Sequence, residues 1–232
     1  MAKLFLRRLC AAALLLCVLL TLAACDTKTN DAPSAAQQTT HTEGADALAA
    51  MPASELTQDL STYPAPDFLT QDQQSLYQAA LRIYLAYSYA NAWQPDSADR
   101  FENEKGWGYV RDAAFEDYDA FHAMLCGVFT DDYVALLEST GRYIEGESGG
   151  VYFLDGGVGS DITYIDCTYA LKTQSDSELT YTITARYNDD AVFGEGGDRA
   201  KDYTKAFDVT LKNTDNGWRF DNFELPDAPG LA

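Results

Sequence analysis

The chain is expected to fold as an α+β protein, with N-terminal helices packed on a curved antiparallel β-sheet. Three observations predict this. Apolar residues recur at helical spacing between Leu76 and Ala90 and again between Phe115 and Leu137. After Gly141 the apolar spacing changes to the alternation of a strand. The strands so marked are joined by turns as short as Gln174–Glu178 and Thr214-Asp215-Asn216-Gly217, which antiparallel hairpins accept and parallel crossovers do not.

Taken in chain order, the first element is an export signal. Lys3, Arg7 and Arg8 precede an apolar run from Leu9 to Leu22, and small residues follow at once. The run falls short of the roughly 20 residues that a spanning helix needs. Leu22-Ala23-Ala24-Cys25 resembles the lipobox of bacterial lipoproteins. That resemblance implies cleavage after residue 24, two acyl chains on Cys25 and a protein anchored to the membrane on its extracytoplasmic face. Two chains anchor stably where one is marginal, because each buried methylene contributes about 0.8 kcal/mol.

Residues 25–66, rich in Thr, Ala, Gln, Ser, Asp and Pro, read as a flexible tether. As a coil it would reach about 35 Å. Leu48, Met51, Leu56 and Leu60 could line a short helix, but Pro52 interrupts that pattern. A single α+β domain is placed at residues 67–226. Thr70-Gln71-Asp72-Gln73 supplies a capping box, and Leu76, Ala80, Ile83, Tyr87 and Ala90 give the stripe of the first helix before Pro95. Asp96 to Arg111 is polar and glycine-containing. Trp107 and Tyr109 within it either cover the core or face a partner.

A second helix spans about Phe115 to Cys126, ended by Gly127. Thr130 caps a third, short helix with Asp131 and Asp132 in its first turn, closed by Gly141. Strands follow at Val151–Leu154, Ile162–Thr173, Leu179–Tyr187, Tyr203–Lys212 and Trp218–Phe223.

Composition limits the function. With 47% hydrophobic and 22% charged residues the chain is globular, and its net charge of −20 repels phosphate backbones, which excludes nucleic acid. Removing residues 1–24 takes away three bases and no acid, leaving −23. The two histidines, His41 and His122, are too few for a multi-histidine metal site, and no metal or other cofactor is expected. Of five cysteines, Cys10 and Cys17 leave with the signal and Cys25 is acylated, so only Cys126 and Cys167 remain. Export permits a disulfide between them but the sequence does not require one, and their apolar surroundings suit buried free thiols.

Two acidic, glycine-rich loops are the candidate partner-binding residues. One is Asp155-Gly156-Gly157-Val158-Gly159-Ser160-Asp161, and the other carries Asp189, Asp190, Glu195 and Asp198. Glycines let another backbone approach closely; the first loop lacks the spacing of a calcium or phosphate loop, and the second reads as a mobile acidic hairpin tip. A helical layer on a curved sheet also resembles, more distantly, the cone of nuclear-transport-factor-2-like domains. That resemblance implies either a non-catalytic ligand cavity or proton transfer by interior Asp and His, for which Asp166, Asp208 and His122 are the only candidates.

A second resemblance covers about Phe115 to Phe223. Phe129-Thr130-Asp131-Asp132-Tyr133, Leu136-Leu137, Tyr143-Ile144-Glu145, Val151-Tyr152, Gly156-Gly157 and Gly217-Trp218-Arg219 resemble the bacterial D,L-endopeptidase inhibitor (IseA-like) family. The resemblance implies a non-catalytic protein that occupies the cleft of NlpC/P60-type cell-wall hydrolases, which cut peptidoglycan stem peptides. The lipobox and tether depart from that family's pattern.

Overall fold

The computed structural model describes residues 43–52, 60–89, 91–157, 159–188, 202–228, 230 and 231. Cys25, Asp189, Asp190, Glu195 and Asp198 lie outside them. The fold is α+β, with two antiparallel four-stranded sheets.

Helix α1 (Glu43–Ala49) and a 3-10 turn (Leu60–Thr62) precede the long helix α2 (Gln71–Tyr89). The capping box forms: Thr70 N–H donates to Gln73 Oε1 at 3.1 Å, and Gln73 N–H to Thr70 Oγ1 at 3.3 Å. At the other end Arg142 caps the last carbonyls of α2, donating to Tyr87 O at 2.6 Å and Ser88 O at 2.7 Å.

Residues expected in the tether are packed. The N–H of Gly44 donates to Asp72 Oδ1 at 2.7 Å, and Met51 and Tyr63 are buried. A Cβ on Gly44 would lie 2.1 Å from Asp72 O, so only glycine lets α1 approach α2 this closely. Packing also runs past Pro226, because Asp161 N–H donates to Asp227 O at 2.8 Å and Arg142 to Gly230 O at 3.2 Å.

The polar stretch after α2 is not a plain loop but a hairpin, β1 (Pro95–Glu102) and β2 (Gly108–Asp112). Every residue of β1 is exposed, so no alternation of burial marked it in the sequence. Helices α3 (Tyr118–Val128) and α4 (Asp131–Ser139) follow, then β3 (Tyr143–Glu145) and β4 (Val151–Leu154). The first sheet has the order β1-β2-β4-β3. β3, three residues long, is too short to carry a period.

Gly127 does not stop α3, which runs on to Val128. Thr130 holds the N-cap position of α4, yet its hydroxyl donates to Asp221 Oδ1 at 3.0 Å rather than capping the helix.

Strands β5 (Tyr164–Gln174), β6 (Glu178–Asn188), β7 (Asp202–Thr214) and β8 (Gly217–Asn222) form the second sheet in that order. Leu179, Tyr181, Ile183, Ala185 and Tyr187 alternate inward on β6 and are buried. The space between α2 and this sheet is filled by side chains: Tyr77 packs 5.5 Å from Phe223 and 6.5 Å from Phe220, and Phe68 packs 5.7 Å from Tyr181, between ring centres. The expectation of one curved sheet thus resolves into two sheets. The segment Phe129–Thr130 reaches the second from α3, through a bridge to Phe220 and a 3.0 Å bond from Thr130 N–H to Phe220 O. Cys126 and Cys167 are half-buried free thiols.

Candidate functional site

The β1–β2 hairpin ends in a turn organised by Asn103. Its side-chain oxygen accepts the N–H of Lys105 and of Trp107, both at 3.0 Å, and Gly106 supplies the positive φ of 77° that the turn needs. This holds Trp107 outward, 47% exposed, with the Lys105 ammonium 5.1 Å over its ring. Of the two aromatics flanked by glycine, Trp107 faces solvent. Tyr109 covers the core, with its hydroxyl donating to Gly141 O at 2.8 Å. Phe101, also partly exposed, stacks 5.5 Å from Tyr109.

The loop 155–161 leaves β4 beside this tip. Asp155 N–H donates to Gly108 O at 2.8 Å, and its carboxylate accepts from Arg100 Nη2 at 3.1 Å. Both side chains of that ion pair are about half exposed, so it orients the loop more than it stabilises the fold. Among the described residues nothing stands within 4 Å of a Cβ built on Gly156, Gly157 or Gly159. No described neighbour demands glycine there. What glycine leaves is bare main chain, a surface another chain can approach closely.

Asp161 serves the fold. Its carboxylate accepts from Thr163 N–H at 3.0 Å and Thr163 Oγ1 at 2.6 Å, and Lys205 Nζ is 4.0 Å away.

The proton-transfer candidates are not assembled. Asp166 and Asp208 lie on the outer, solvated face of the second sheet. A hydrogen bond from Arg186 holds the first carboxyl below the usual range, and hydrogen bonds from Lys172 and Thr182 do the same for the second. Such carboxylates are weak bases. His122 makes its contacts elsewhere: its Nδ1 is 2.7 Å from Glu138 Oε1 and its Nε2 is 3.4 Å from Cys126 Sγ.

Sequence reasoning missed this Cys126–His122–Glu138 chain, although the four-residue spacing of His122 and Cys126 on one helix signals it. It has the connectivity of a thiol triad without the electrostatics. Burial first, then Asp131 and Glu138, push the Cys126 thiol up, and Cys126 sits in the last turn of α3, whose dipole opposes a thiolate. The arrangement therefore holds a protonated thiol. Among the described residues no group of three His, Cys, Asp or Glu is placed to hold a metal ion.

No known family model matches the chain, and no curated protein does. A functional reading therefore stands on the residues themselves, on the sequence resemblances and on the exposed hairpin and glycine loop. Among the described residues no helix is long and apolar enough to cross a membrane.

Proposed function

We propose that this chain is a lipid-anchored, extracytoplasmic binding protein that inhibits a peptidoglycan D,L-endopeptidase of the NlpC/P60 type. The tip of the β1–β2 hairpin and the loop 155–161 would occupy the enzyme's cleft. One observation carries the reading: an exposed Trp107 stands on a braced turn whose Gly108 carbonyl accepts the N–H of Asp155, the residue that leads into Gly156 and Gly157. Tryptophan is enriched among the residues that dominate interface energies, and bare glycine backbone lets a cleft close around it. The enzyme class comes from the sequence resemblance. A net charge of −23 without residues 1–24 also favours fast, salt-sensitive encounter with a basic hydrolase. A ligand-holding cone is less well supported, since aromatic side chains fill the space between α2 and the second sheet.

The test is peptidoglycan cleavage by D,L-endopeptidases from the protein's own envelope, with the full chain added in mild detergent. Inhibition is expected at low salt and weaker at physiological salt. Trp107→Ala should raise the inhibition constant about 30-fold, the equivalent of roughly 2 kcal/mol at a hot spot, with thermal unfolding little changed because the ring is 47% exposed. Absence of inhibition at micromolar protein and low salt overturns the proposal.

A further inference from the structure

A sheet edge is a row of unsatisfied main-chain groups, and most of the edges here are blunted. β8 is bridged by Phe129, and β3 has three residues. β1 begins at Pro95, carries Asp96, Asp99, Arg100 and Glu102, and is irregular between Asp96 and Arg100. β5 differs. It is eleven residues long and free of proline, and it exposes Ile165 (42%) and Leu171 (43%), with Ile162 just before it at 69%. Its bulges lie near the ends, between Tyr164 and Asp166 and between Leu171 and Thr173, and leave Asp166–Leu171 regular.

The hydrogen-bond parity of β5 follows from both ends. Asn188 N–H donates to Thr163 O and Ser175 N–H to Glu178 O, each at 2.8 Å, which makes Tyr164/Tyr187 and Gln174/Leu179 non-hydrogen-bonded pairs. Counting inward across each bulge gives the same result. The N–H and C=O of Cys167, Tyr169 and Leu171 point away from β6, toward the open edge.

We propose that this edge pairs with the same edge of a second copy of the chain, antiparallel and centred on Tyr169. That register sets Tyr169 against Tyr169 and Cys167 against Leu171 of the second copy, each pair exchanging two hydrogen bonds. It also sets Asp166 opposite Lys172 of the second copy, and by symmetry again on the other side of the axis. Asp166 and Lys172 already lie on the outer face, paired with Arg186 and Asp208. The joined sheet thus carries an alternating row, Arg186, Asp166, then Lys172 and Asp208 of the second copy. On the inner face the exposed Leu171 is covered. A foreign strand meets the same hydrogen-bond row, but a copy of β5 supplies the charge match twice.

Disulfide trapping tests the register on the full chain, exported and solubilised in mild detergent. Facing residues of a hydrogen-bonded pair stand about 5.5 Å apart between Cα atoms, within the span of a disulfide. With Cys126 and Cys167 changed to Ser, Tyr169→Cys should give a linked homodimer on mild oxidation. With Cys167 kept and Cys126 changed to Ser, Leu171→Cys should link to Cys167 of the second copy, and adding Cys167→Ser should abolish that link. Thr173→Cys, whose two copies would be displaced by roughly 26 Å along the strands, should link at least about tenfold less. Leu171 is a mild position, so it carries the test if Tyr169→Cys fails to fold. No link at either position overturns the proposal, as does equal linking at Thr173 or capture of a different protein in place of a second copy.

Discussion

The β5–β8 sheet has strands of six to thirteen residues, and β6 buries alternate side chains beneath α2, whereas the β1–β4 sheet has strands of three to eight residues, one of them wholly exposed. The first sheet is fixed in addition by polar side chains that reach main chain. Asp112, fully buried, accepts the N–H groups of Trp93 at 2.9 Å, Gln94 at 3.0 Å and Ala114 at 3.1 Å. Arg111 donates to the carbonyls of Phe115 and Glu116, and a Cβ on Gly150 would stand 1.4 Å from its guanidinium. Apolar alternation can build a sheet from long strands. The short strands β2, β3 and β4 bury Val110, Tyr143, Val151 and Phe153 as well, and directed hydrogen bonds add to that packing in a sheet whose β1 buries nothing.

The largest effect should come from the apolar sheet. Tyr181→Ala removes a fully buried ring packed between Phe68 and Tyr169, and should cost about 3–5 kcal/mol in denaturant unfolding. A loss below about 1 kcal/mol would break the comparison, since the second sheet would then not rest on packing.

Asp112→Ala comes next. It leaves three buried or part-buried amides without their acceptor and should cost about 2–3 kcal/mol. Hydrogen exchange sharpens the point: the amides of Trp93, Gln94 and β2 should speed up before those of β6. Simultaneous loss of protection in both sheets would count against separate modes of support.

The smallest effect is that of pH. Burial pushes the carboxyls of Asp112, Glu224 and Asp227 above the usual range. Protons bind these groups more tightly in the folded chain than in the unfolded one. Their contribution is complete below the unfolded values of about 4 and is lost as pH rises through the raised folded values. Asp166 and Asp208, held low, act oppositely, and their contribution fades only as pH falls below about 4. Thermal unfolding should therefore move up on acidification from pH 7 toward about 5, by roughly 2–4 °C per kcal/mol, and turn down below about 4. Asp112→Ala should flatten part of that rise. A melting temperature that falls steadily from pH 7 would show that the buried carboxyls do not set it.

Which parts of the fold were legible in the sequence follows the same division. Helix α2, with its Thr70/Gln73 box, and strands β5 and β6 carry their periods openly, and β4 is legible as a short apolar run between glycines. β1 does not, because no face of it is buried, and the tether boundary was misplaced because α1 docks through Gly44, a contact no local pattern reports. Of the candidate site, the loop 155–161 was visible as a run of glycine and acid, but Trp107 was left between two roles. Nothing local separates an indole that caps a core from one braced outward by Asn103.

Several residues that carry the sequence resemblance have fold roles. Phe129 and Thr130 join α3 to β8, Tyr143–Glu145 is β3, and Gly217 turns the β7–β8 hairpin with a φ of 88°. They therefore speak to architecture before partner.

The sequence by itself determined the class of fold, the order of its long elements and the acidic balance of the chain, since composition, charge and short-range periodicity are properties of neighbours along the chain. Only the tertiary structure decided that the strands divide into two sheets, that Asp166 and Asp208 face solvent while His122 meets Cys126 and Glu138, and that Asp155 is tied to Arg100 and Gly108 of the β1–β2 hairpin. Each of these depends on contacts between residues far apart in the chain, where burial and hydrogen-bond geometry are set by packing rather than by local preference.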